Sequence, residues 1–118
     1  MEEERVIGSF HFRLTNSGNL IGEYINNHSN IILTESANRV NPTDNKPVFE
    51  GNYVTSWLEG NRPQSNRISI NRIQDTNMFS IIWATIRGEI TFQGKGTFMD
   101  ENIIYGYYSG QPFIRENN

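Results

Sequence analysis

From Glu89 to Phe98 the chain alternates strictly, with Ile90, Phe92, Gly94, Gly96 and Phe98 on one side and Glu89, Thr91, Gln93, Lys95 and Thr97 on the other. A period of two places successive side chains on opposite faces of a β-strand, so this segment predicts a strand with one apolar and one polar face. The same period runs through Val6, Gly8, Phe10, Phe12 and Leu14, set against Ile7, Ser9, His11 and Arg13. No segment carries apolar residues at i, i+3, i+4 and i+7 beyond a single turn, and no helix is predicted.

Turn chemistry divides the rest. Asn16-Ser17-Gly18-Asn19 and Asn27-His28-Ser29-Asn30 tolerate positive φ and local side-chain bonding, and they bracket a strand from Leu20 to Asn26. Ile31 to Glu35 predicts a short third strand, followed by a loop from Ser36 to Lys46 without periodicity, a length that suits a lid or binding loop. A fourth strand from Val48 to Trp57 leads into a polar loop, Glu59 to Asn66, and a fifth strand spans Arg67 to Ile73. Phe79 to Ile86 is apolar on both faces, as in a strand that is covered twice. The Glu89 strand and a last one from Ile103 to Ser109 flank a turn at Asp100-Glu101-Asn102.

Eight strands joined in sequence by short turns make an up-and-down meander, and closing it into an antiparallel barrel removes two exposed edges. The expectation is therefore an all-β chain with little or no helix, one barrel domain over 1–118, with loose termini at 1–4 and 112–118. Gly22-Glu23-Tyr24, Gly51-Asn52-Tyr53 and Gly106-Tyr107-Tyr108 place a glycine inside three strands, as the bends of a small barrel require. Composition agrees: 15 isoleucines stand beside two alanines and four leucines.

Charge and cysteine content narrow the function. The formal net charge is −3, with Glu2, Glu3 and Glu4 crowded at the N-terminus and six arginines spread from Arg13 to Arg87, so no basic stripe for nucleic acid is present. With no cysteine, disulfides, thiolate zinc sites and cysteine nucleophiles are excluded. His11 and His28 lack metal-ligand spacing, and neither a metal site nor a cofactor is expected. No apolar run approaches a membrane span and no signal-type leader opens the chain, which reads as soluble and cytoplasmic.

Enzyme motifs are equally sparse. Glu23, Glu35, Glu50 and Glu89 are the carboxylates considered for acid/base work. Three of them fall opposite an apolar face, and Glu50 lies on an ambiguous strand in which Phe49, Gly51, Tyr53, Thr55 and Trp57 share one side. Lys95, between two glycines inside a strand, reads as solvent-facing. The informative feature is the set of 14 aromatic residues. Rings lining a barrel with a few polar tips can hold a small apolar or amphipathic molecule, and they can also fill the barrel outright.

Ser17-Gly18-Asn19-Leu20-Ile21-Gly22-Glu23-Tyr24 resembles the second strand of avidin-type barrels: a turn glycine, an apolar pair, then Gly-x-Tyr. In that family the tyrosine hydrogen-bonds the polar head of biotin, a role the resemblance assigns to Tyr24, with Asn26 where the family has serine. The first strand reads Gly8-Ser9-Phe10-His11-Phe12, without the family's Trp and Asn, and the likeness extends generally to avidin- and lipocalin-like barrels. The resulting expectation is a non-enzymatic barrel with a small ligand held by Tyr24, Asn26, Tyr53, Trp57, Arg72 and Trp83, under a lid from Ser36 to Lys46. Arg72 is included because it shares a face with Ile68 and Ile70, where a cation calls for an anionic partner. Two alternatives remain. One is a filled barrel acting as an interaction module, with a homodimer through Phe79 to Ile86 that exposes Ile82 and Ile86; the other is an isomerase- or cyclase-type barrel using Tyr and Glu as acid and base.

Overall fold

The computed structural model describes residues 5–41, 46–59 and 61–110, with the side chains of 57–59 and 62–64 left aside. Eight antiparallel strands follow one another around a closed barrel: β1 (Val6–Leu14), β2 (Leu20–Asn26), β3 (Leu33–Arg39), β4 (Gly51–Glu59), β5 (Arg62–Arg72), β6 (Met78–Thr85), β7 (Ile90–Asp100) and β8 (Ile103–Gly110). Each strand pairs with its sequence neighbours, and β1 closes the ring on β8 from Val6 opposite Gly110 to Arg13 opposite Ile103. The expected meander and its closure are both present, with no helix among the described residues.

The register matches large side chains to small ones. Phe12 lies opposite Gly22, Phe79 opposite Gly96 and Phe92 opposite Gly110, while Tyr108 sits between Gly8 and Gly94. The rings of Phe12, Phe92 and Tyr108 lie over the glycine opposite them, while the ring nearest Gly96 is that of Phe10. A Cβ on Gly22 would come within 2.5 Å of Phe12 Cδ1, and one on Gly8 within 2.7 Å of Tyr108 Cε1. Strand glycines thus give narrow-barrel rings a place to lie, and the rings cover the backbone the glycines leave bare. Phe12, Leu20, Ile68, Ile70, Phe79, Ile81 and Ile104 are fully buried in the core. Each contributes about 1.5–3 kcal/mol by removal from water.

Two predicted loops are strands. Ser36 to Arg39 continues β3, pairing Ala37 with Leu20 on one side and with Thr55 on the other, so the loop expected from Ser36 begins only after Arg39. Ser36 and Asn38 face solvent and Ala37 faces the core, a period of two disguised by polar residues with low strand preference. Conversely, Ile31 and Ile32, assigned to a strand by their apolar character, lie exposed before β3 starts. Likewise β4 runs to Glu59 and β5 starts at Arg62, with Glu59 paired to Arg62, so strand occupies most of the eight-residue loop that was expected. β6 reaches only as far as Asn66 along β5, so Pro63, which has no N–H to donate, lies on a free edge.

The ends of the barrel differ. One end carries the β1–β2, β3–β4, β5–β6 and β7–β8 connections and is sealed. Arg39 donates from Nε to the Gly18 carbonyl at 2.9 Å, from Nη1 to the Glu50 carbonyl at 3.0 Å, and from Nη2 to the Val48 carbonyl and the Tyr53 hydroxyl. Phe98 meets Phe49 and Phe79 edge to face, and Phe49 and Phe79 are tilted at 54°. Residues 42–45 of the expected lid lie outside the described residues. The other end carries the β2–β3, β4–β5 and β6–β7 connections, and there the β4–β5 hairpin extends past both neighbouring strands.

Candidate functional site

At this second end the lumen is hollow. A cavity of about 240 Å³ opens to solvent between β2, β3, β5, β6, β7 and β8. Its apolar wall consists of Leu33 and the rings of Tyr24, Trp83, Phe92 and Tyr108. Trp83 and Phe92 both contact Tyr108, with ring centroids 5.5 and 5.6 Å apart, the second pair at 88°. Its polar wall comes from Asn26, Thr34, Glu35 and Asn66. A concave, mainly apolar pocket with a few converging polar groups is the usual form of a small-molecule site.

The strand period places these groups. Leu33, Glu35 and Ala37 alternate inward on β3, with Glu35 opposite Gly22 of β2. On β6, Phe79, Ile81 and Trp83 alternate inward, and a bulge after Trp83 frees Thr91, whose hydroxyl donates to the Trp83 carbonyl at 3.1 Å. Bulges next to sites re-aim side chains in this way. The Trp83 indole Nε1 donates to Glu35 Oε1 at 3.4 Å, across the lumen. Asn26 Nδ2 donates to the Tyr108 hydroxyl at 3.0 Å.

Burial pushes the Glu35 carboxyl above the ordinary carboxylate range, against the lowering effect of hydrogen bonds from Thr55 and Trp83. The Thr55 hydroxyl is buried and has a single hydrogen, which it donates to the Ser36 carbonyl at 2.9 Å. The Ser36 carbonyl therefore competes with the Glu35 carboxyl for that hydrogen and weakens the lowering effect of Thr55. The Tyr108 phenol is also raised, first by burial, then by the nearby Glu35, against the Asn26 hydrogen bond. Among the described residues lining the cavity there is no Lys, Arg or His.

Of the six residues expected to hold a ligand, Tyr24, Asn26 and Trp83 meet at this cavity. Tyr53 and Arg72 lie at the sealed end. Tyr53 is 0% exposed, and its hydroxyl donates to the Phe49 carbonyl at 2.7 Å while accepting from Arg39. Arg72 is drawn to the barrel rim, where Nε meets Glu50 Oε2 at 3.1 Å and the guanidinium lies over the rings of Phe79 and Phe98 at 5.0 and 5.6 Å. Its anionic partner is thus Glu50, outside the lumen. Trp57 stands two positions beyond Thr55 in the hairpin extension, and its side chain lies outside the described residues.

Glu35 is the residue that sequence reasoning placed wrongly, as a carboxylate opposite an apolar face. The signal was the shared phase of Leu33, Glu35 and Ala37, hidden because the strand was ended at Glu35. Phe92 and Tyr108 also line the cavity, Phe92 on the apolar face read from the Glu89 strand and Tyr108 on a strand, Ile103 to Ser109, to which the sequence reading assigned no face. Ile82, expected on an apolar outer face, pairs with Ser69 and Gln93, so its outward neighbours are polar. Among the described residues no three His, Asp or Glu side chains gather to hold a metal ion. No protein-family model, curated protein or solved structure matches the chain.

Proposed function

We propose that this protein is a non-enzymatic binding barrel that takes a small apolar or amphipathic molecule into its open mouth. The observation that carries this reading is the cavity itself: four aromatic rings and Leu33 on one side, and Asn26, Asn66 and Glu35 on the other, above a core that is otherwise filled. Its volume of about 240 Å³ lies just under the range of roughly 300–1,000 Å³ for drug-sized ligands, so a one-ring molecule suits it. The avidin-like strand adds support, since it puts Tyr24 at the mouth of the lumen.

The test uses Trp57→Phe, which leaves Trp83 as the sole tryptophan. Benzyl alcohol, a one-ring amphipathic probe, is expected to shift Trp83 emission saturably, and Leu33→Phe, which fills the cavity, is expected to weaken that shift at least tenfold. Emission that stays constant, with no heat of binding by calorimetry, rejects the reading.

A second reading, a barrel enzyme of the isomerase or cyclase type, draws on Glu35, whose carboxyl burial raises, near Tyr108, a pair able to donate and accept a proton. Mass spectrometry of a bound compound separates the two: a binding barrel returns it unchanged.

A further inference from the structure

Glu35 is the one formally charged side chain among the described residues lining the cavity, and it is poorly provided for as a carboxylate. An ionised carboxylate offers about four acceptor positions. The Trp83 indole fills one from 3.4 Å, and the Ser36 carbonyl competes with the carboxyl for the single Thr55 hydrogen. No cation lines the cavity beside it among the described side chains. β2 contributes Tyr24, β8 Tyr108, and β5, β6 and β7 contribute Asn66, Trp83 and Phe92, so among the described cavity-lining residues the other titratable groups are the two phenols. His11, Arg13 and Glu23 share a second, surface pocket with Glu35. His11 and Glu23 pair with each other at 3.5 Å on the outer surface.

Around this carboxyl stand π-systems. Ring faces carry negative potential and attract cations, most strongly where water is excluded, and aromatic cages hold ammonium groups on this principle. A buried carboxyl backed by Trp83, Tyr108, Tyr24 and Phe92 joins that attraction to a formal counter-charge. An anion entering the same space meets the field of Glu35 with no cation among the described cavity-lining residues to balance it.

Resting on the ligand-binding reading above, we infer that the molecule bound in the barrel mouth is an organic ammonium ion, with an apolar or aromatic body among the rings and Glu35 as its counter-ion. The incoming positive charge favours the ionised form of Glu35, and a proton held there passes to water.

The experiment compares three probes that share one body and differ only in head-group charge: 2-phenylethylamine, 2-phenylethanol and phenylacetate. Affinities are measured on Trp57→Phe by Trp83 emission and checked by calorimetry. The amine is expected to bind about tenfold or more tightly than the alcohol at neutral pH, and phenylacetate more weakly than either. Glu35→Gln is expected to bring amine and alcohol to similar affinity. With Glu35 retained, amine affinity is expected to rise with pH through the titration of Glu35 while alcohol affinity does not, a comparison that stands even if the Gln variant fails to fold.

If the alcohol binds as tightly as the amine, or the amine keeps its advantage in Glu35→Gln, the ammonium assignment is overturned and the ligand-binding reading survives. If none of the three binds, and benzyl alcohol is silent as well, the binding reading falls and takes this inference with it.

Discussion

Trp83 and Glu35 sit 48 residues apart in the chain, on strands β6 and β3 that do not touch, and meet inside the barrel with indole Nε1 3.4 Å from carboxyl Oε1. The contact ties two walls of the mouth together at the point where burial raises the carboxyl. An acid whose pKa is higher folded than unfolded holds its proton longer in the folded state. Its contribution is complete at low pH and is lost as pH rises from the ordinary range, near 4.5, through the raised value. Urea unfolding across this window is expected to show stability falling with pH, at no more than about 1.4 kcal/mol per pH unit for one proton. Glu35→Gln should flatten that component and be the more stable protein at neutral pH. A slope identical in both proteins contradicts the assignment to Glu35.

The sealed end depends on Arg39. Its guanidinium serves the carbonyls of Gly18, Val48 and Glu50 and the Tyr53 hydroxyl, and lies 4.8 Å from the Tyr53 ring centroid. Only a planar fork reaches that many acceptors, so Lys is no substitute. Arg39→Ala is expected to cost about 2–4 kcal/mol in chemical denaturation, and Arg39→Lys to recover less than half of the loss. Full recovery by Lys would show that charge alone matters there.

Tyr53 supplies a marker at the alkaline side. Burial pushes its phenol up to about 12, with Arg39 opposing and Glu50 adding. The folded chain keeps this proton where the unfolded chain, near 10, gives it up, so stability is complete below pH 10 and falls between pH 10 and about 12. Ultraviolet titration of the phenols is expected to lose its latest step in Tyr53→Phe. If the profile of that variant keeps the step, the phenol is not the late one.

Gly106 faces Gly96 across the β7–β8 pair and Phe10 across the β1–β8 pair. A Cβ there would collide with the Lys95 carbonyl and come within 2.7 Å of the Gly96 Cα, both of them backbone. Backbone atoms of a closed barrel cannot move singly. Gly106→Ala is therefore expected to cost at least about 3 kcal/mol, at the upper end of overpacking penalties. Gly88→Ala meets no atom within 4 Å and strains only its φ of +96°, so it should cost about 1 kcal/mol. Thermal melts of the two variants side by side decide the matter, and similar costs would remove steric overlap as the cause.

The barrel was legible in the chain because period two is a local property. Phe10 and Phe12 in β1, and Phe92 to Phe98 in β7, announce their buried face without reference to any other strand. So does β2, read from Leu20 to Asn26 as the structure has it. Where a strand carries little apolar signal, as with Ser36, Ala37, Asn38 and Arg39, pairing with two neighbours supplies the backbone hydrogen bonds that composition does not advertise. That is why β3 was placed early and a lid was read where a strand lies.

The sequence by itself determined the fold class and the eight-strand meander, since each follows from alternation and turn signals that are local, while the inward direction of Tyr53 and Trp83 was left open by strands apolar or ambiguous on both faces. Only the tertiary structure decided which inward residues share a cavity. Closure of the ring sets the height of each side chain along the barrel axis, so Tyr53 comes to lie with Arg39 and Arg72 with Glu50 at one end, while Tyr24, Asn26 and Trp83 gather at the other. The phase of Glu35 is local, but its meeting with Trp83 is not. It exists only because pairing across β4 and β5 brings β3 and β6 face to face over a lumen that the glycines keep narrow and the large rings leave open at one mouth.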